Sequence, residues 1–265
     1  TVVTTGDTGS VATAMIAGGE ALATQKSAQR QAIKLEWSEE LGEDFEQWGV
    51  ASKAWSDIED RHGMTSAICA YPLIENGIRG NLHRSVDEHG LEMGKLFSRF
   101  AKVASENPLA DRQQGFTAKD ISEVGVNNPY IGFPYTKLMN SNAYINQAAA
   151  IILTSVANAK ALGIPKEKWV YLHGCADAYD HWYLIDRKNY FSSPAISIVA
   201  RETLKMAQCC LDELDFLDLY SCFPSAVQIA CDEMGLSSND ARGLTVTGGL
   251  PYFGGPGNNY VTHSI

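Results

Sequence analysis

The stretch that decides the fold is NSNAYINQAAAIILTSVANAKALGIP, residues 140–165. Its middle, Ala148 to Thr154, is a continuous apolar run, which is typical of a strand buried on both faces. A helical segment follows from Val156 to Leu162, and Gly163 with Pro165 supplies the expected stop signals. We therefore predict a strand that passes directly into a helix.

Apolar runs spaced along the chain after this stretch predict further strands. The runs are Trp169–Leu172, Phe216–Tyr220 and Leu244–Thr247. Helices are predicted between them: Ser193 and Pro194 open one, and another ends near Met234 with Gly235 as its cap. Because strands and helices alternate at this spacing, the sequence predicts an α/β fold with a substantially parallel sheet.

The chain before residue 140 divides into two parts. Residues 11–22, VATAMIAGGEAL, predict a short buried strand that ends in a sharp turn at the paired glycines. From Ala23 to Asn128 charges are dense and the apolar periodicity is patchy, except for helical spacing from Val86 to Ala104. The apolar stripe of that helix is predicted to consist of Leu91, Leu96, Phe100 and Val103. We interpret residues 23–128 as an inserted subdomain of helices and loops.

Composition limits the classes of partner. The 265 residues carry a formal net charge of −10, which disfavours nucleic-acid binding because phosphate backbones repel an acidic chain. No apolar run is long enough to span a membrane, so no membrane partner is predicted. The six cysteines lack CxxC spacing and are interpreted as free thiols of a reducing, cytoplasmic compartment. The absence of an initiator Met leads us to expect an internal piece of a longer protein.

One segment concentrates polar side chains just after a predicted strand. His173, Cys175, Asp177, Asp180 and His181 fall within nine residues. Their spacing fits no common zinc site, so we predict no metal. We interpret the segment as the lining of a ligand pocket, with a structural polar network as the alternative.

Two further segments are candidates for chemistry. Cys222 lies between a predicted strand and a helix N-terminus, where the helix dipole would favour a thiolate nucleophile. The alternative, which we prefer, is that Cys222 is a small buried residue that packs the turn. Five glycines between Gly248 and Gly257 indicate close backbone approach, either as an oxyanion hole or phosphate nest or as a tight loop.

Several of these segments, taken in order, resemble the thiolase superfamily. The resemblance extends over nearly the whole chain and is carried by AMIAGGEAL (14–22), NSNAYINQAAAIILTSVANAKALGIP (140–165), DLYSCFPSA (218–226) and TGGLPYFGGPGNNY (247–260). In thiolases these positions carry the strand after the nucleophile helix, N-x-S-x-x-x-D-G-A-A, N-E-A-F and G-G with G-H-P. The segments PYTKLMN (134–140) and CADAYDHW (175–182) resemble more specifically the acetyl-CoA acetyltransferase-like, sterol-carrier-protein-type subgroup.

The resemblance implies a layered αβαβα fold built from two similar halves. Residues 1–22 would end the N-terminal half, residues 23–128 would form an inserted loop subdomain covering coenzyme A, and residues 129–265 would begin the C-terminal half. It also implies a coenzyme A thioester as substrate, no permanently bound cofactor, and a homodimer or homotetramer.

The resemblance fails at the catalytic groups. The family's nucleophilic Cys would precede Thr1 and its second Cys would follow Ile265, while Gly255 occupies the position of the G-H-P histidine. Tyr220 occupies the position of the N-E-A-F asparagine. Candidate catalytic residues are Tyr220, Cys222, Gly255 and His263, the last as a substitute histidine, as is His181. Candidate substrate-binding residues are Gly248, Gly249, Gly254, Asn258, His173 and His181.

Three functions are compatible with this pattern. The first is a thiolase-like acyltransferase with altered acid/base groups. The second is retro-aldol cleavage of a β-hydroxyacyl-CoA, because thiolase-like aldolases also carry a Tyr at the N-E-A-F position and work with a small zinc-ribbon/OB-fold partner. The third is a non-catalytic subunit that binds coenzyme A esters.

Overall fold

The strands form two small antiparallel sheets. The computed structural model describes residues 2–5, 13–36 and 52–265. Strand β2 lies between β1 and β5 in one sheet, and β3 and β4 form the other. Their bounds are β1 Val2–Thr5, β2 Thr13–Ala21, β3 Tyr130–Gly132, β4 Tyr135–Thr136 and β5 Asn146–Leu153.

The strands predicted within residues 11–22 and at residues 148–154 are confirmed as β2 and β5, but two details of these predictions are wrong. Strand β2 continues through Gly18 and Gly19, so the turn predicted at the glycine pair is wrong. Gly18 is needed for close packing instead, because a Cβ there would lie 2.7 Å from Cγ of Asn259. Along β5 exposed and half-buried side chains alternate, so this strand is not covered on both faces by the described residues.

The predicted parallel sheet is not found among the described residues, where every strand pairing is antiparallel. The segments Trp169–Leu172, Phe216–Tyr220 and Leu244–Thr247 form no strands. Leu219 N–H donates to the Leu244 carbonyl at 2.9 Å, which brings two of these segments together. Short apolar runs predict burial, but periodicity does not say which backbone will pair with which.

The described residues also form ten α-helices. They are α1 Leu22–Arg30, α2 Asp57–Arg61, α3 Ala67–Asn81, α4 Val86–Glu106, α5 Ala118–Ser122, α6 Val156–Ala161, α7 Pro194–Ala207, α8 Pro224–Met234, α9 Gly249–Tyr252 and α10 Tyr260–Ser264. The predicted start of α7 at Pro194 is confirmed, and α8 begins at Pro224. Gly235 ends α8 in the left-handed conformation, as predicted.

Helix α4 lies at the centre of the core. Its start is fixed by a capping box in which Ser85 Oγ accepts from Glu88 N–H and Glu88 Oε2 accepts from Ser85 N–H. The predicted stripe is partly wrong, because Leu91 is exposed. The buried face consists of His89, Met93, Gly94, Leu96, Phe97, Phe100, Ala101 and Ala104.

This face of α4 packs against residues from the far end of the chain. The ring of Tyr252 meets Phe97 edge-on at 6.2 Å, and Leu250 and Phe253 join the same core cluster. The region predicted as an insertion therefore contacts the segment that carries the candidate glycines. The boundaries at residues 22 and 128 stay predictions, and residues 37–51 of that region lie outside the described part.

Candidate functional site

The candidate site is the turn Tyr220–Phe223, which lies directly before α8. Cys222 O accepts from Ser141 N–H at 3.0 Å, and Ser221 Oγ accepts from Leu250 N–H at 3.1 Å. The turn is therefore held from two sides by the segments that contain the family motifs. Tyr220 is half exposed, whereas Cys222 is buried.

Burial determines the chemistry of the Cys222 thiol. Loss of solvation raises its pKa, and hydrogen bonds from the Tyr71 hydroxyl and from the Phe223 backbone N–H offset only part of that effect. No histidine among the described residues interacts with the thiol. The thiol is thus protonated at neutral pH, which agrees with the packing interpretation more closely than with a nucleophile.

Tyr220 is the group of this turn that solvent reaches. Its ring meets the ring of Tyr260 edge-on, with the centroids 5.9 Å apart. Partial burial is the main cause of its raised pKa, and the nearby Cys222 contributes. A phenol with a raised pKa stays protonated at neutral pH, so Tyr220 is equipped to donate a hydrogen bond or a proton.

Behind Tyr220, a polar cluster joins the turn to the glycine-rich segment. The Tyr260 hydroxyl lies 2.7 Å from Thr247 Oγ1 and donates to Asp218 Oδ2 at 3.3 Å. The same carboxylate oxygen accepts from Thr245 Oγ1 at 3.1 Å and from Val246 N–H at 2.9 Å. Burial raises the pKa of Tyr260 above its ordinary value of 10.0.

The backbone N–H groups of the first glycine pair are already hydrogen-bonded within the protein. Gly248 N–H donates to Thr245 Oγ1 and Gly249 N–H donates to Thr247 Oγ1, both at 3.1 Å. Both glycines have positive φ, +109° and +76°. A Cβ on Gly249 would lie 2.5 Å from a ring carbon of Phe100, so close packing against α4 explains that glycine.

The second glycine pair is buried beside residues 141–147, which lead into β5. Gly255 N–H donates to Asn142 O at 2.9 Å, and a Cβ at this position would overlap Ser141 Oγ. An imidazole at residue 255 would therefore require Ser141 to move. Gly254 has φ +135°, and a Cβ there would lie 2.5 Å from Gln147 Oε1. Within the described part of the chain that buried oxygen has no hydrogen-bond partner.

The two remaining candidates of the C-terminal segment have different environments. His263 packs edge-on against Phe253 at 5.2 Å, and its buried Nε2 has no partner among the described residues. Loss of solvation lowers its pKa below the ordinary 6.5. Asn258 is exposed, whereas its neighbour Asn259 is buried and donates to Gly18 O at 2.7 Å.

The polar segment His173–His181 lies on the surface. Both histidines are exposed, and the ring of His173 meets only Tyr171, edge-on at 6.5 Å. Asp180 accepts from Arg187 at 2.8 Å and also from Ser193. Across residues 13–36 and 52–265 no group of three or more His, Cys, Asp or Glu side chains is arranged for a metal ion.

The structure thus brings together Tyr220, Cys222 and both glycine pairs, and it leaves His173 and His181 without contacts to them among the described residues. Sequence reasoning missed Tyr71 and Tyr260, the two tyrosines that contact the turn. Tyr260 ends the glycine-rich motif, three residues after Gly257, and could have been noticed as an aromatic residue at that position. Tyr71 lies within residues 23–128, where the apolar periodicity is patchy, and no motif in the sequence indicated a role for it.

One protein of known structure is similar to this chain in both sequence and fold. STLP1, a monomeric SCP2-thiolase-like protein type 1 from Mycobacterium smegmatis, is 42% identical, with 80% of this chain and 46% of that chain covered and a TM-score of 0.74. The chain thus spans less than half the length of this relative. The chain has a thiolase-like α/β fold. It belongs to the SCP2-thiolase-like subgroup of thiolase-like proteins.

More distant structures show the fold alone. The Ltp2–ChsH2(DUF35) aldolase is 14% identical, with 74% of this chain and 50% of that chain covered and a TM-score of 0.55. The dimeric peroxisomal thiolase of Saccharomyces cerevisiae is 13% identical, with 92% and 59% covered and a TM-score of 0.50. No protein-family model and no curated protein matches the sequence. None of the described helices is long and apolar enough to cross a membrane.

Proposed function

We propose that this chain belongs to a protein that acts on acyl-CoA thioesters with acid/base groups altered from those of thiolases. The observation that carries the proposal is the half-exposed Tyr220 phenol beside the buried Cys222 thiol. The phenol stands where thiolases carry the Asn of N-E-A-F, and it is protonated at neutral pH, so it can donate a hydrogen bond or a proton. Tyr220 would donate to the thioester oxygen or to the carbon that becomes protonated.

Acyl transfer through such an altered site is the first candidate reaction. It requires a thiolate nucleophile and a group that lowers the pKa of that thiol. Gly255 has no side chain to do this, and His263 lies behind Phe253. Cys222 is protonated at neutral pH, so a transferase would have to use a nucleophile from another part of the full-length protein.

Carbon–carbon cleavage of a β-hydroxyacyl-CoA is the second candidate, and the Tyr220 phenol favours it. In this reaction a base removes the β-hydroxyl proton and the Cα–Cβ bond breaks. The products are a carbonyl compound and an acyl-CoA enolate, which takes a proton at Cα. Tyr220 would supply that proton, and no thiolate is needed. The Ltp2–ChsH2(DUF35) structure is an aldolase, so this reaction class occurs on the fold in that protein.

The remaining assignments extend this proposal. Gly254 and Asn258 would contact the ligand near Tyr220, Gly248 and Gly249 would shape its wall, and the exposed His173 and His181 would line an outer part of the pocket. We propose a cytoplasmic homodimer or homotetramer, with a small zinc-ribbon/OB-fold protein as a further partner for the lyase. STLP1 is a monomer, so the mass of the full-length protein in solution distinguishes these assemblies.

The experiment is Tyr220→Phe in the full-length protein, assayed with acyl-CoA acceptors and with β-hydroxyacyl-CoA substrates. We expect kcat to fall about 100-fold while the acyl-CoA Kd is unchanged, because the ring remains and only the proton donor is lost. Tyr130→Phe is the matched control, since Tyr130 is exposed to about the same extent as Tyr220 and lies in β3, outside the proposed site. Unchanged turnover in Tyr220→Phe would make the tyrosine a packing residue and the proposal wrong. Acyl-CoA binding without turnover of either substrate would identify a non-catalytic subunit.

A further inference from the structure

Beneath the Tyr220–Phe223 turn lies a fully buried carboxylate that the proposed reaction does not use. Glu75 Oε1 is 2.6 Å from His89 Nε2 and accepts from Gln228 Nε2 at 2.7 Å. Glu75 Oε2 accepts from the Tyr135 hydroxyl at 2.7 Å. Glu75 and His89 are both completely inaccessible to solvent. The carboxylate of α3 is thereby joined to α4, to α8 and to β4.

Burying a carboxylate is costly unless hydrogen bonds replace its hydration. Three donors do so here, and they come from three different elements. His89 Nδ1 is buried without a hydrogen-bond partner among the residues that the structure describes, so the hydrogen-bonding pattern favours a proton on Nε2, which donates to Glu75. A proton on Nδ1 would leave a buried donor without an acceptor. Hydrogen bonds, more than a counter-ion, therefore stabilise the carboxylate.

The same group of residues supports the turn from below. The Tyr135 hydroxyl lies 2.7 Å from Ser225 Oγ, which is in the first turn of α8. The Tyr135 ring packs on the ring of Phe223 with centroids 4.9 Å apart, and the ring of Tyr71 stacks on Phe223 at 4.5 Å. Tyr71 in turn hydrogen-bonds Cys222.

We propose that Glu75 is a positioning residue that fixes the Tyr220–Phe223 turn through Tyr135, Ser225 and Gln228. Its two oxygens hold the start of α8 and the ring beneath Phe223 in one arrangement. The carboxylate is suited to this because both of its oxygens accept, whereas an amide presents one acceptor and one donor. Replacing Glu75 by Gln keeps the volume and forces the Tyr135 hydroxyl to reverse its hydrogen bond. The inference deepens the proposed function, since it identifies what holds Tyr220.

The test compares two buried thiols, one in the turn before α8 and one in the C-terminal half of α8. Cys222 lies just before α8 and Cys231 lies within it, and both are buried with raised pKa values. Alkylation by iodoacetamide under native conditions is followed for each thiol by peptide mass spectrometry. The ratio of the two rates separates movement of the turn from opening of the whole helix.

We expect Glu75→Gln to accelerate alkylation of Cys222 about tenfold over that of Cys231, from the loss of one hydrogen bond to a buried charge. Tyr135→Phe, which keeps the ring on Phe223, should change the ratio in the same direction. Glu59→Gln is the control, because Glu59 is another buried carboxylate but is bonded to Ser56 and Ile185. It should lower stability and leave the ratio unchanged.

Equal acceleration of both thiols in Glu75→Gln and Tyr135→Phe would show a purely structural role and overturn the inference, as would no change in either. If Glu75→Gln does not fold, Tyr135→Phe decides. The alkylation assay needs no substrate, so its outcome is separate from that of the proposed reaction. Where turnover is measurable, Glu75→Gln should lower kcat and leave KM unchanged, because it displaces the donor and not the ligand contacts.

Discussion

Two regions of the molecule are rich in polar residues and were both expected to form the ligand site, yet their environments differ. The first is the Tyr220–Phe223 turn with the glycine-rich segment Thr245–Tyr260, which is mostly buried and cross-linked by Asp218. The second is the His173–His181 segment, whose histidines are exposed. The turn packs against α3 and α4, whereas the ring contact of His173 among the described residues is with the exposed Tyr171.

The difference shows what determines a functional environment in this fold. A polar residue after an apolar run becomes chemically distinctive only when another element covers it and removes water. The Tyr220 and Cys222 pKa values are raised because of burial. The coverage comes from residues distant in sequence, such as Tyr71, so it is a property of the tertiary structure.

The largest effect on the free energy of unfolding is expected from a substitution that disrupts packing between the glycine-rich segment and α4. Gly249→Ala places a Cβ against Phe100 and Ser221 at positive φ, and we expect it to lower the free energy of unfolding by about 3 kcal/mol or more. Gly163→Ala is matched, because φ is +65° but no atom lies within 4 Å of the added Cβ. It should cost only about 1 kcal/mol. Urea denaturation measures both, and equal losses would show that backbone strain, not packing, requires the glycine.

A smaller effect is expected at the carboxylate that joins the two parts of the site. Asp218→Asn should lower the free energy of unfolding by about 1 kcal/mol, because one oxygen of Asp218 accepts three hydrogen bonds. Asp177→Asn in the exposed segment should stay within about 0.5 kcal/mol of the parent. Thermal and urea denaturation of the two variants side by side give the comparison. A larger loss for Asp177→Asn would reverse the assignment of the two regions.

The pH dependence of stability offers a third comparison. The pKa of His263 is lowered by burial, so the unfolded chain binds more protons than the folded chain once the pH falls below about 6.5. Stability should therefore decrease as the pH is lowered from 7 towards 5. His263→Gln should flatten the curve of unfolding free energy in this window. The lowered carboxyl pKa values of Glu59 and Asp240 affect stability only at more acidic pH. An unchanged curve in His263→Gln would show that the histidine keeps its ordinary pKa.

The smallest effect is expected from the exposed histidines. His173→Ala combined with His181→Ala should change the free energy of unfolding by less than about 0.5 kcal/mol, since both side chains are exposed. Calorimetric titration with an acyl-CoA then tests their proposed role in binding. A weakened Kd at unchanged stability would support the outer-pocket assignment. An unchanged Kd would remove both histidines from the site.

Much of the local structure was predictable from the sequence. The ends of α6, α7 and α8 follow from Gly163, Pro194, Pro224 and Gly235, because these residues act on their own backbone. Strand β5 was found from its apolar run, but its antiparallel pairing with β2 was not. Pairing depends on where a distant segment lies, and periodicity carries no information about that.

The candidate site was predictable only in part. Tyr220, Cys222 and the glycines were identified from their order along the chain, since the resemblance is local in sequence. The protonation of Cys222 was not predictable, because its pKa depends on burial and on a hydrogen bond from Tyr71, which is distant in sequence. The glycine-rich segment was interpreted either as an oxyanion hole or phosphate nest or as a tight loop, and in the structure Thr245 and Thr247 accept from two of its N–H groups. Short hydroxyl side chains close to a glycine pair can accept the hydrogen bonds of its N–H groups. The sequence alone does not show in which direction those side chains point.

The central claim is that this site works without a thiolate and imidazole pair. It is tested most directly by assaying the full-length protein for thiolysis of acetoacetyl-CoA by coenzyme A, with an authentic thiolase as positive control. If Gly255 takes the place of the thiolase histidine, as proposed, and Cys222 is buried and protonated, we predict no coenzyme A-dependent loss of acetoacetyl-CoA above background. Robust thiolysis by the purified protein would contradict the account.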